Sequence, residues 1–328
     1  MKNHQPIRIS IVIPVYKGEF CLGKLIKEIE PLTGVQNTSE GSLFMVSEIL
    51  LVHDCGPDNS DQTIEELISR YPFIKGVWLT RNYGQHAATL AGMASTNGDW
   101  VVTLDEDGQQ DPCDIGNMLD VALNNSLQIV YARPTNIPPH GFIRNFFSSL
   151  AKKIALKLLG GEYQVGVFNS FRLINGEISR ILASYCSNGI YLDIALFWIA
   201  NRIGYCPVKL RNESRDSGYN CLMLINHFWR MILTAGTRPL RLITFSGIFS
   251  LFAAMGVLFY VLYSKLIAQT PVQGWASILI FISFFSGLIM VSLGLLAEYL
   301  ALAVGIAMGK PLYMVSSQPT RRANFNMQ

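Results

Sequence analysis

Short apolar runs alternate with polar turns along the first hundred residues. Four of them read as strands: 9–15 (ISIVIPV), 48–54 (EILLVHD), 77–80 (VWLT) and 100–105 (WVVTLD). Helix-length segments near 20–30, 61–70 and 85–95 lie between them. Strands continuously rich in Val, Ile and Leu, alternating with helices, predict a mostly parallel sheet covered on both faces. In such sheets ligands bind outside the carboxyl ends of the strands. That rule gathers Pro14 and Tyr16 behind the first strand, then His53, Asp54 and Asp58 of HDCGPDNSD behind the second. Arg81, Asn82, Gly84 and His86 of RNYGQH follow the third, and Asp105, Glu106 and Asp107 the fourth.

A second pattern begins near Arg241. Residues 242–309 carry no charge beyond Lys265 and Glu298, and two segments, 242–263 and 275–297, are apolar on every face. A bilayer core of about 30 Å takes roughly 20 apolar residues in a helix, so both are predicted membrane spans. Arg238 and Arg241 precede the first, Lys310, Arg321 and Arg322 follow the second, and the connection holds only Lys265. The positive-inside rule then puts both termini on the cytoplasmic side. Residues 142–159 place Ile143, Phe147, Leu150, Ile154 and Leu158 on one helical face, suited to a bilayer interface or to a core; 221–233 reads the same way.

Composition narrows the chemistry. Half of the 328 residues are apolar and 15% are charged, and a net charge of +3 with no aromatic-interleaved basic stripe excludes a nucleic-acid partner. Six cysteines form no CxxC pair, which suits a reducing compartment. GxGxxG behind the first strand, GxxxxGK[ST], GxSxG and HExxH are all missing, so the dinucleotide, P-loop, hydrolase-elbow and zincin readings lack their carriers. What remains is the carboxylate cluster. An isolated ionised carboxylate is costly to bury, so such a cluster is either solvated or neutralised by a cation. Hard oxygen ligands suit Mg²⁺ or Mn²⁺, held by one or two carboxylates and substrate phosphates.

SIVIPVYKGE, EILLVHDCGPDNSDQT, RNYGQHAATLAGMASTNGDWVVTLDEDGQQDP, FNSFRLI and EYL…GKPLYMV, in this order, resemble the inverting family 2 glycosyltransferases. Within that family the chain is similar to the membrane-anchored polyprenyl-phosphate glycosyltransferases. The resemblance implies a GT-A fold, Rossmann-like with a mostly parallel sheet, that binds a nucleotide-sugar and a divalent metal. It implies that Pro14 and Tyr16 line the nucleotide pocket, that Asp54 contacts the base, and that Arg81 and Gly84 belong to the segment behind strand three. Asp105 and Asp107 match the DxD, with Asp107 favoured as direct ligand, and Gln109 matches the LQ of the family. The sequence departs from the pattern at His53, commonly an aspartate; at Cys55-Gly56, commonly Gly-Ser; and at Ser170, commonly the aspartate of SDFRL, although Arg172 is retained. SRDSGYN (214–220) matches the usual RxxGxSxY loosely, leaving Arg215 and Tyr219 as candidate phosphate contacts.

A phosphate monoester is largely a dianion at neutral pH and needs cations more than a base. Arg172, Arg211 and Arg215 are available, and no QxxRW occurs, which favours a phosphate acceptor; Asp193, Glu213 and Asp216 are candidate bases should the acceptor be a hydroxyl. The expected organisation is a glycosyltransferase domain over 1–220, a juxtamembrane amphipathic segment over 221–241, the two spans within 242–309 and a cytoplasmic tail over 310–328. The small residues Gly287, Ser292, Gly294 and Ala297 would allow close helix approach, and with it a homo-oligomer. The expected activity is transfer of a sugar, with inversion, from a UDP-sugar or related donor to undecaprenyl phosphate. Extension of a lipid-linked saccharide at a hydroxyl, or a non-catalytic nucleotide-sugar-binding scaffold, are the alternatives.

Overall fold

The computed structural model describes residues 5–136, 169–186, 191–211 and 274–319, with scattered positions between 243 and 263. The chain divides into two units: 1–150, 164–219 and 311–328 form one, 151–163 and 220–310 the other.

The first unit is built on a sheet of nine described strands. β1 (Ile7–Val15) pairs in parallel with β3 (Leu43–His53) on one side and β5 (Trp100–Thr103) on the other, and β3 continues in parallel to β4 (Ile74–Leu79). Beyond β5 lie β7 (Arg172–Asn175), antiparallel, then β6 (Ile129–Pro134) and β8 (Ile203–Val208), parallel to each other. The short β2 (Gln36–Asn37) folds antiparallel onto β3.

The alternation of β1 shows why the sheet is covered twice. Ile9, Ile11 and Ile13 face a core made with α1 (Leu22–Ile29), α2 (Ser60–Arg70) and α4 (Asp114–Asn124). Val12 faces the opposite core, made with α3 (Gln85–Ala94), α5 (Gly176–Tyr185) and α6 (Leu192–Ile199). Successive side chains point to opposite faces, so a strand apolar at every position must be buried on both. The four predicted strands and three predicted helices fall on β1, β3, β4, β5 and α1 to α3. The tail adds an element the sequence did not announce: β9 (Val315–Ser316) pairs antiparallel with β4 at the sheet edge.

Of the second unit, α7 (Trp275–Ala307) is described throughout. It is 33 residues long, and Phe284–Ala307 has a mean hydropathy of 2.1, long and apolar enough to cross a membrane. The helix continues ten residues beyond the predicted end at Ala297 because no breaker or cap intervenes before Gly309. Most of the expected span 242–263, and the interfacial segments 142–159 and 221–241, lie outside the described residues.

Candidate active site

β1 and β5 are neighbours from which the chain winds in opposite directions, toward β3 and β4 on one side and β7, β6 and β8 on the other. Their carboxyl ends therefore flank the topological switch point, where α/β sheets hold ligands. The three acidic residues behind β5 divide there into three roles. Asp105 turns into the site. Its Oδ1 accepts from Gln85 Nε2 at 2.6 Å, and its Oδ2 accepts from Gln110 Nε2 at 2.9 Å and from the Ser170 hydroxyl. Burial pushes its carboxyl up to about 6; the Ser170 bond opposes this, the Asp107 charge adds to it, and Arg172 and Gln110 lower it. Glu106 turns back toward β1 and accepts from the N–H groups of Tyr16 and Lys17, each at 2.9 Å. Asp107 accepts from the Gln109 N–H at 3.0 Å.

The loops behind β1, β3 and β4 lock one another in place. Asp54 is buried, and its two oxygens accept from the N–H groups of Tyr83 at 2.7 Å and Gly84 at 2.8 Å. Those donors lead into α3, where a carboxylate complements the helix dipole, and Gly84 has φ +91°, a backbone that a glycine adopts without strain. Burial raises the Asp54 carboxyl to about 6, against the lowering by these two N–H groups. Each Asp54 oxygen thus accepts from one backbone N–H, a positioning role that stands beside the base contact expected of this carboxylate. Asp58 accepts from the Ser60 hydroxyl at 2.6 Å and the Glu19 N–H at 3.1 Å, while Ser60 accepts from the Gly18 N–H at 2.8 Å. Asp58 thereby holds the segment behind β1. Gly56 closes the same seam: a Cβ there would stand 1.6 Å from the Tyr16 carbonyl oxygen.

Next to the switch point, Pro14, the last residue but one of β1, pairs with Val52, and Tyr16 is 44% exposed. Arg81 is exposed and lies 4.6 Å from the centroid of the Tyr83 ring. Gln109 contributes backbone, donating to Asp107 and accepting from the Arg211 N–H at 2.9 Å.

Three of the expected residues take structural places. Arg172 and Asp193, expected at the chemistry, form a buried bidentate pair, Nε to Oδ1 at 2.7 Å and Nη2 to Oδ2 at 3.0 Å. Asp193 is 1% exposed and also accepts from the Tyr131 hydroxyl at 3.0 Å. A carboxylate so engaged is in no position to take a proton from an acceptor, so its expected role as general base does not stand. Arg172 meets the site through the Ser170 carbonyl, to which it donates at 3.2 Å, and through its charge, which lowers the Asp105 carboxyl. Arg211, expected on the acceptor phosphate, has its guanidinium bound to Glu28 and, at 2.8 Å, to Asp111. Arg215, Tyr219, Glu213 and Asp216 lie outside the described residues.

Gln85, Gln110 and the hydrogen-bonding role of Ser170 escape a reading of the sequence. Gln110 is buried, and its Oε1 also accepts from the Asp105 N–H at 2.9 Å. Its one signal is its adjacency to the DxD, but beyond a strand end no periodicity tells Gln109 from Gln110. For a metal, the donor chemistry fits: Asp105 and Asp107 offer hard oxygens at the switch point. Among the described residues no group of three or more His, Cys, Asp or Glu that could hold a metal ion gathers.

The mostly parallel α/β sheet, with two aspartates at its switch point, defines a GT-A-like fold. Residues 10–171 match the model of the family Glycosyl transferase family 2, and the chain belongs to that family. It is 27% identical over 323 residues to an undecaprenyl-phosphate 4-deoxy-4-formamido-L-arabinose transferase of Klebsiella pneumoniae (strain 342), covering 96% of this chain and 95% of that protein. To a bactoprenol glucosyl transferase of Shigella phage SfX it is 25% identical over 322 residues, 95% of this chain and 100% of that one. Among solved structures, a mycobacterial protein aligns with a TM-score of 0.51 at 19% identity, covering 71% of this chain and 74% of that chain, a likeness of fold.

Proposed function

We propose that this glycosyltransferase transfers one sugar, with inversion, from a nucleoside diphosphate donor to a polyprenyl phosphate at the cytoplasmic membrane face, with a UDP-sugar the favoured donor and undecaprenyl phosphate the favoured acceptor. The observation that carries the reading is the Asp105–Asp107 pair at the switch point, on a loop that Glu106 ties to the end of β1. The acceptors named for the two relatives support the acceptor class, and the length and apolarity of α7 support the membrane.

The exposed Tyr16 ring offers a stacking surface for the base, beside Pro14. Asp105 and Asp107 would hold Mg²⁺ or Mn²⁺, whose charge would neutralise the leaving diphosphate. Gln85, Gln110 and Ser170 fix the Asp105 carboxylate in one orientation, so that it does not reorganise as the donor bond breaks. An acceptor phosphate oxygen forms the new bond to the anomeric carbon from the face opposite the diphosphate, which departs with the bonding pair. Because that acceptor is already a dianion, no general base is needed, in keeping with an Asp193 committed to Arg172. The hydroxyl-acceptor alternative loses its described base.

The direct test is donor binding. Titration of the purified chain with UDP-sugars is expected to show affinity that falls on chelation of divalent metal and again in Asp107→Asn. Equal affinity with and without metal, in both proteins, would remove the reading.

A further inference from the structure

The α5–α6 pair covers the sheet with one face, and among the described residues its other face is exposed. Tyr185 is 79% exposed and Trp198 59%, and with Ile181, Cys186 and Ile199 they line a groove of about 300 Å³ bounded by apolar side chains. Soluble surfaces seldom gather aromatic side chains in this way without a partner.

The segment directly after α7 indicates the partner. Leu312 and Tyr313 pack against the hydrophobic cluster that contains Leu182 and Ala195, as do Cys186 and Ile199. The Tyr313 hydroxyl lies within electrostatic reach of the Cys186 thiol, and the pairing of β9 with β4 holds the segment down directly afterwards. Only residues 308–311 separate the end of α7 at Ala307 from Leu312. At about 3.6 Å per residue, Leu312 lies within ~18 Å of the helix end. A helix that spans a bilayer ends at its surface, and Lys310, three residues after Ala307, supplies a charge for the headgroup layer. The tether therefore keeps the exposed face close to lipid headgroups. Trp and Tyr are the side chains that settle at that depth, apolar in the ring and polar at the edge.

We propose that the Tyr185–Trp198 face of the α5–α6 pair is a membrane-contact surface that seats in the headgroup layer. The proposal rests on α7 spanning the membrane, and the test separates the two. The full chain is reconstituted in phosphatidylcholine–phosphatidylglycerol vesicles carrying bromines either high or deep on the acyl chains, and tryptophan quenching is compared between the unaltered chain and Trp198→Phe. A Leu295→Trp change in the Trp198→Phe background reports the span itself. The expected result is that Trp198→Phe loses the Trp198 share of the quenching by shallow bromines, above what Trp229 and Trp275 retain, while Leu295→Trp adds quenching by deep ones. Deep quenching from Leu295→Trp with shallow quenching unchanged by Trp198→Phe would overturn the surface and leave the span standing, the face then being covered by protein or facing water. No quenching from Leu295→Trp would remove the membrane reading, and this surface with it.

Discussion

Each carboxylate of Asp105-Glu106-Asp107 answers to a different neighbour: Asp105 to Gln85, Gln110 and Ser170, Glu106 to the backbone behind β1, and Asp107 to the Gln109 N–H. His53 is the counterexample of a polar residue with little to do. It is 2% exposed, its ring nitrogens have no hydrogen-bond partner, and its edge meets Trp78 with centroids 5.6 Å apart. Replacing a buried polar group that makes no bond by an apolar one of similar size is near neutral or stabilising, so His53→Leu is expected to melt no lower than the parent at pH 7.5. Burial lowers the His53 pKa, with Asp61 and Asp58 opposing, so the native state binds this proton less readily than the unfolded chain. Its contribution is whole above the ordinary value of 6.5 and is lost as pH falls below it. Asp54 has the opposite sign: raised from 3.8 to about 6, it adds stability as pH falls through that window. Thermal unfolding in detergent from pH 7.5 to pH 5 should therefore show the parent losing more stability than His53→Leu; identical slopes would contradict the assignment. At this scale the DxD was legible because charge behind a buried strand is conspicuous. Gln110 was not, because a neutral amide carries no such mark.

Among the elements, α1 to α3 and the strands they join were legible because their apolar runs are long and their periodicity unbroken. The pair β6 and β8, antiparallel to β7, was not, since pairing partners far apart in sequence leave no local trace. The same limit explains Arg172 and Asp193: separated by 21 residues, both read as chemistry, and only the fold reveals them as a buried pair that fastens β7 to α6. The segment behind β1 and the loop behind β3 meet where Gly56 touches the Tyr16 carbonyl. Gly56→Ala forces a methyl group into backbone, and overpacking of this kind costs about 1–3 kcal/mol. The expected outcome is a lowered melting temperature together with a raised donor Kd, because the displaced backbone carries the Tyr16 ring. Unchanged donor affinity at lowered stability would show that this seam does not shape the nucleotide pocket.

For the molecule as a whole, the catalytic sheet and the helix long enough to cross a bilayer are joined through a tail that returns to the sheet as β9, so the terminal residues belong to the fold of the first unit. The apolarity of 275–297 made the helix legible, while two residues of edge strand are too few to carry a pattern. The claim that unites these parts is a sugar moved from a nucleoside diphosphate to a lipid phosphate. It is tested most directly by supplying the full chain in nanodiscs with Mg²⁺ or Mn²⁺, a panel of nucleotide-sugars and undecaprenyl phosphate, and tracking lipid products by mass spectrometry. A lipid-phosphate sugar that requires the metal and falls by about 10²–10³-fold in Asp107→Asn, a loss on the scale of removing one preorganised electrostatic group, is the predicted result. Donor binding without any glycosylated lipid phosphate across the panel would contradict it.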